Sequence, residues 1–194
     1  MLMDSGNAFP LLQKLAITMS ICSLPKWVGS LVHLSYLQIV VETMDNEGLH
    51  ILGNLPTLFY LELCRCHFPV ERLVVGNQGF QCLKEFSFQV LNGRMGLAFT
   101  PGAMPEVEIL CIDARKTRCN HGVDADFGLE HLSCLTHFIV KIQCWDATAA
   151  EVESFDSAIK HAVKTHPNLP MLQIIKTSAN YMTEENENLE DNRV

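Results

Sequence analysis

The residues of this chain that could bind a metal or act as a nucleophile are its cysteines and histidines, and two groups of them stand close together. Cys64-x-Cys66-His67 and Cys119-x-His121 are the best metal candidates. Paired zinc ligands normally stand roughly two to four residues apart, so that both donors reach one tetrahedron, and a single intervening residue fits poorly. On a strand Cys64 and Cys66 share a face, and packing is the favoured reading of both. A Cys–His nucleophile pair need not be close in sequence, yet nothing marks any of the cysteines at 22, 64, 66, 82, 111, 119, 134 and 144 as an activated thiolate. With no secretion signal at the N-terminus, they read as reduced packing thiols.

Asp126-Phe127-Gly128 has the form of the metal-binding triplet of protein kinases, but the catalytic loop, Gly-rich loop and V-A-I-K lysine that must accompany it are absent. There is also no G-x-x-x-x-G-K-[ST] phosphate loop and no G-x-G-x-x-G fingerprint, so the chain is not expected to bind nucleotide by itself. His161 and His166 straddle the end of a predicted helix, a place that favours cations. The chemistry points to a non-enzymatic chain with no catalytic residue, no metal and no cofactor.

The elements that position these residues come from a different pattern. One apolar triplet, L-x-x-L-x-I/L, recurs as Leu12-Leu15-Ile17, Leu34-Leu37-Ile39, Leu58-Leu61-Leu63 and Leu83-Phe86-Phe88. It continues as Val107-Leu110-Ile112, Leu135-Phe138-Val140 and Leu169-Leu172-Ile174. The first members lie 22, 24, 25, 24, 28 and 34 residues apart. A period of roughly 20–29 residues with this triplet is the signature of leucine-rich repeats. The expected fold is therefore an α/β leucine-rich-repeat solenoid: a parallel concave sheet, an irregular convex side of turns and short helices, and one C-terminal helix.

Each triplet should be a strand with its apolar members inward and the residues between them outward. Three outward rows follow. Lys14, Tyr36, Tyr60, Glu85, Ile109, His137 and Met171 form the first, and Ala16, Gln38, Glu62, Ser87, Cys111, Ile139 and Gln173 the second. Thr18, Val40, Cys64, Gln89, Asp113, Lys141 and Ile175 form the third. The mixture of aromatic, charged and apolar groups suits a protein-binding face. Its candidate contact residues are Lys14, Tyr36, Gln38, Tyr60, Glu62, Glu85, Gln89, Asp113, His137 and Lys141.

The return segments carry a second apolar layer, Leu24, Trp27 and Leu31 in one repeat and Leu49, Leu52 and Leu55 in the next. The last return holds the helix, near 148–165: Thr148 and Glu151 have capping-box spacing, Val152, Phe155, Ile159 and Val163 form one stripe, and His166-Pro167 ends it. The repeats then occupy 11–176. Residues 1–10 read as a leader at a raw edge, because no polar cap precedes the first triplet, which suggests the C-terminal part of something longer. Residues 177–194, rich in acids, read as a disordered tail.

With a net charge of −8 and a pI near 5.4, no basic face for nucleic acid is expected. No apolar run is long enough to span a bilayer, and the chain reads as soluble and cytoplasmic.

The connecting segments go further than the generic repeat. LPKWVGSLVHLSYLQI, GLHILGNLPTLFYLEL, GAMPEVEIL, DFGLEHLSCL and HPNLPMLQI resemble, in this order, the C-terminal leucine-rich-repeat region of plant intracellular nucleotide-binding disease-resistance proteins, above all the coiled-coil class of grasses. The resemblance covers roughly residues 10–176. It implies a recognition and autoinhibition module of an innate-immune receptor. The partner would be a pathogen effector, a guarded host protein or the receptor's own nucleotide-binding domain. Switching does not carry over, because the phosphate loop and coiled coil are absent from this sequence. Two other readings of the repeats are a substrate adaptor of a ubiquitin ligase and a stand-alone scaffold.

Overall fold

Each triplet forms a strand because its alternation buries one face and leaves the other in water. The computed structural model describes residues 11–65, 72–90, 96–115, 127–145 and 147–178. In chain order the elements are β1 (Lys14–Ile21), β2 (Tyr36–Val41), α1 (Asn46–Gly53), β3 (Tyr60–Arg65) and β4 (Leu73–Val75). They continue with β5 (Glu85–Val90), β6 (Leu97–Phe99), β7 (Ile109–Arg115), β8 (His137–Gln143), α2 (Ala149–Thr165) and β9 (Met171–Thr177). Short 3-10 turns at Lys26–Ser30 and Leu129–His131 complete them.

Seven strands pair in parallel in the order β1-β2-β3-β5-β7-β8-β9. This is the α/β leucine-rich-repeat solenoid expected from the triplets. The register runs Leu15, Leu37, Leu61, Phe86, Leu110, Phe138, Leu172 across the sheet, so second members stack on second members. Within β2 to β8 these side chains are buried, whereas Leu15 and Leu172 are only half-buried. Among the described residues an inner rung is covered by a neighbour on each side and an end strand by one, so the roughly 1.5–3 kcal/mol that a fully buried Leu or Phe contributes is realised in the middle.

One turn starts each rung. The N–H of the first triplet member donates to the carbonyl three residues earlier, as in Leu34 to Leu31 (2.9 Å), Val107 to Met104 (3.1 Å) and Leu135 to Leu132 (3.1 Å). Two N–H groups of the next rung then share one carbonyl of the rung before: Lys84 and Glu85 donate to Phe59, and Thr136 and His137 to Glu108. The seventh rung departs from this scheme. Pro170 has no N–H to give, so Met171 alone donates to Thr136. Leu169 there takes φ 46° and points outward, 67% exposed, while Pro170 is buried. The triplet's inward assignment of Leu169 is thus corrected.

The return side differs from expectation at two more places. Val28, fully buried in the first 3-10 turn, fills the second apolar layer beside Leu24 and Leu31, and Trp27 lies 44% exposed. In addition β4 and β6 pair in parallel as a second sheet of two strands, with Leu73, Val75, Leu97 and Phe99 buried. Gly-rich neighbours flank these three-residue strands, which are too short for periodicity to mark. The segment with Leu49, Leu52 and Leu55 supplies α1, capped by the Asp45 carboxylate accepting from Gly48 N–H at 2.7 Å.

In α2 the Thr148 hydroxyl accepts from Glu151 N–H at 3.2 Å, and the Glu151 carboxylate accepts from Thr148 N–H at 2.9 Å. Val152, Phe155 and Ile159 are buried beneath it and Val163 half-buried. Asp156 on the same helix pairs with Lys160 at 2.9 Å and Lys176 of β9 at 3.5 Å, tying helix to strand. Burial alone would raise its carboxyl pKa, but the two ammonium groups hold it below the usual value. Residues 1–10 and 179–194, the sites of the expected leader and most of the acidic tail, lie outside the described residues.

Candidate functional site

Parallel pairing carries the outward residues into columns, except that a register shift between Ile17 and Ile21 takes Thr18 out of the third row expected for it. The first reads Lys14, Tyr36, Tyr60, Glu85, Ile109, His137, Met171, and the second Ala16, Gln38, Glu62, Ser87, Cys111, Ile139, Gln173. From β2 onward the third reads Val40, Cys64, Gln89, Asp113, Lys141, Ile175. The ten candidate residues therefore share one face of one sheet, the face that is concave in repeats of this kind.

Interactions within the face group them. Tyr36 and Tyr60 occupy neighbouring rungs and stack with ring centroids 4.5 Å apart and planes 4° from parallel. The Tyr60 hydroxyl donates to Glu62 Oε2 at 3.1 Å. Burial and the adjacent carboxylates of Glu62 and Glu85 push the Tyr60 phenol well above its ordinary pKa, so it stays a donor. Gln38 lies beside Glu62 on the neighbouring strand.

Two rungs on, Gln89 Nε2 donates to Asp113 Oδ2 at 2.9 Å, and Lys141 stands opposite Asp113 in the ladder. His137 Nδ1 lies 2.9 Å from the Thr136 hydroxyl at the strand start. Lys14 is exposed on the first strand. Among the three columns, Glu62, Glu85 and Asp113 fall in the central strands β3, β5 and β7, while Lys14 and Lys141 fall in β1 and β8. The centre of the face is thus acidic and aromatic, with cations toward its ends.

Periodicity did not single out the rim. Lys84, just before β5, binds Glu106 at 2.9 Å and Glu108 at 2.7 Å, and these carboxylates hold its ammonium pKa above the ordinary value. The signal was available, since Lys84 and Glu108 each directly follow a first triplet member. Cys64 corrects the outward row: although in register with Gln89, it is only 6% exposed.

The chemical motifs resolve differently. Cys66, His67, Cys119, His121 and Asp126 lie outside the described residues. Among the described residues no group of three His, Cys, Asp or Glu side chains could hold a metal ion. Phe127 and Gly128 are packing residues: Phe127 is buried and its carbonyl accepts from Phe99 N–H at 2.7 Å, which docks β6 onto the turn. Cys144 is also a packing thiol, but Cys22, Cys82 and Cys134 are exposed free thiols, against the expectation for them. On the open face burial raises the Cys111 thiol, making it a poor nucleophile.

His166 is no helix-end cation. It is 2% exposed, burial lowers its pKa, and Nδ1 accepts from Asn168 N–H at 3.1 Å, as neutral imidazole does. Two clefts on the return side, about 260 Å³ beside α1 and β4 and about 480 Å³ between α2 and the 129–131 turn, bring together none of the ten open-face candidates. No described helix is long and apolar enough to cross a membrane.

Known proteins bear on this geometry in two ways. The family model for the leucine-rich repeat region matches residues 2–172. The disease resistance protein RGA5 of Oryza sativa subsp. japonica is 30% identical over 147 residues, which is 75% of this chain and 13% of the rice protein. The chain thus spans about an eighth of the length of that relative. No solved structure gives a significant match. The expected likeness to plant disease-resistance proteins is borne out, and the chain belongs to the leucine-rich repeat region family.

Proposed function

We propose that the chain is a non-enzymatic, cytoplasmic protein-recognition module of a plant innate-immune receptor, and that it works through the open face of its seven-stranded sheet. The observation that carries this reading is the face itself. It is an unbroken parallel array on which aromatic, acidic and apolar side chains change from rung to rung, over a core whose columns stay apolar. A surface of that kind discriminates between proteins by shape and charge. Similarity to a rice disease resistance protein supplies the setting. In that setting the partner is an effector, a guarded host protein or the receptor's nucleotide-binding domain, and holding that domain inactive is autoinhibition.

The test places a photo-crosslinking amino acid at Ser87 or Gln38 on the open face, or at Glu153 on the exposed side of α2. The purified chain is mixed with a separately produced nucleotide-binding region of a grass disease-resistance protein. Crosslinks from Ser87 and Gln38 and none from Glu153 are expected. Crosslinks from Glu153 alone overturn the reading of the open face, and none from any position removes the nucleotide-binding domain from its partners.

A further inference from the structure

We propose that the Tyr36–Tyr60 stack, together with Glu62 and Glu85, is an anchor site for an arginine side chain of the bound protein. This deepens the reading of the open face as a docking surface and rests on it. Three observations on β2, β3 and β5 carry it. First, the two rings stack on each other at 4.5 Å, which fixes their orientation and leaves the far face of Tyr60 turned toward the β5 rung. Second, the ladder places Glu85 directly beside Tyr60 on that same rung. Third, Glu62 Oε2 accepts the hydrogen bond of the Tyr60 hydroxyl, while Glu85 makes no hydrogen bond or ion pair among the described residues.

A guanidinium satisfies all of these groups at once. Its plane stacks on an aromatic ring and its fork of N–H donors meets carboxylate oxygens. An ammonium offers no plane to stack and is more strongly hydrated, so arginine is favoured over lysine. Charge complementarity places the site: no Lys or Arg occupies the three outward columns of β2, β3, β5 or β7. The partner segment is therefore one that carries exposed arginine, with its neighbours free to run along the Ser87 and Cys111 column.

The experiment titrates the full chain, at about 150 mM salt to suppress long-range attraction, with a short peptide of alternating glycine and arginine and with its lysine counterpart. Binding is followed by NMR. The arginine peptide should bind more tightly. Tyr60→Ala should weaken it by about three- to tenfold, the paired change Glu62→Gln with Glu85→Gln by a similar factor, and Tyr60→Phe by less, since the ring remains. The paired change Glu130→Gln with Glu153→Gln, on the return side, should leave it unaltered.

No binding at millimolar peptide, no loss with Tyr60→Ala, or equal loss with the return-side pair overturns the anchor. Ser87→Trp separates this from failure of the docking face. If the bulky residue abolishes the Gln38 crosslink to the nucleotide-binding region while the Tyr60 and Glu changes are silent, the face stands and the arginine site falls. If it too is silent, both fall.

Discussion

Gly128 offers the sharpest test of how the rungs are joined. It takes φ 68° and ψ 36°, in the left-handed region, and directly follows Phe127. A Cβ at this position would lie far inside the 3.0 Å that side-chain carbons keep from other atoms, against the carbonyl oxygen of Phe99. That oxygen is backbone and cannot swing away as a side chain would. Gly128→Ala therefore meets two costs. The left-handed backbone costs an L-residue about 1–2 kcal/mol. Relieving the contact must also push β6 off the turn, loosening the 2.7 Å bond from Phe99 N–H to Phe127 O, worth about 0.5–1.5 kcal/mol. The sum is roughly 1.5–3.5 kcal/mol before any loss of Phe99 and Phe127 packing is added.

Gly102 provides the control. Its φ is 81°, but the nearest neighbour of an added Cβ is the Asn77 Cβ at 3.0 Å, so Gly102→Ala should show chiefly the backbone share. Gly76→Ala, with only Thr100 Oγ1 at 3.9 Å, should change stability by less than about 1 kcal/mol. The assay is urea unfolding of the full chain, with hydrogen exchange at the Phe99 amide as the local readout. Exchange there should accelerate in Gly128→Ala and not in Gly102→Ala. If the two alanine variants lose equal stability and the Phe99 amide stays protected, the backbone-contact reasoning is wrong.

Two further outcomes follow from the last repeat. Thr148→Ala removes the N-cap of α2 and should cost about 0.5–2 kcal/mol, read as faster amide exchange in the first turn of the helix; unchanged exchange there would refute the cap. His166 is buried and neutral when folded, with its pKa below the ordinary 6.5, so the folded chain resists a proton that the unfolded chain accepts. Stability is accordingly full above about pH 6.5 and falls as the pH drops below it, by at most about 1.4 kcal/mol per pH unit. His166→Leu should remove that dependence, and equal slopes of unfolding free energy against pH in the two proteins would refute it.

The inward columns were legible because each repeats one simple requirement. Leu37, Leu61, Phe86, Leu110 and Phe138 must all be apolar to stack, and period and chemistry alone reveal them. The cap of α2 was legible for a similar reason, since Thr148 and Glu151 satisfy each other at fixed spacing. What stayed hidden depends on one residue's neighbours. Trp27 and Val28 are both apolar, and only the phase of a five-residue 3-10 turn decides that Val28 goes in. Leu169 fits the triplet but yields its place to Pro170, because a left-handed backbone turns it outward. His166 breaks the chemistry while keeping the geometry: it stands three residues before Leu169, where earlier rungs bury Leu31, Leu55, Phe80, Met104 and Leu132. Of the open face, the columns could be read from spacing, whereas the Tyr36–Tyr60 stack and the Tyr60–Glu62 bond required knowing the register.

The two sides of each strand therefore answer to different constraints. An inward residue is judged by the rungs above and below it, which favours sameness and gives the repeat its visible signature. An outward residue is judged by whatever meets the sheet, so its chemistry is free to change at every rung. The order of those changes is then the information the face holds. Here the stacked aromatics and carboxylates of β2 to β5 give way to Ile109, Ile139 and Met171 toward the other end, so a partner meets a polar anchor region beside an apolar one. Binding energy at such a face comes from a few desolvated anchors rather than from the whole area. Exchanging the outward residues of two rungs, with every inward residue left in place, should consequently preserve the fold and alter recognition.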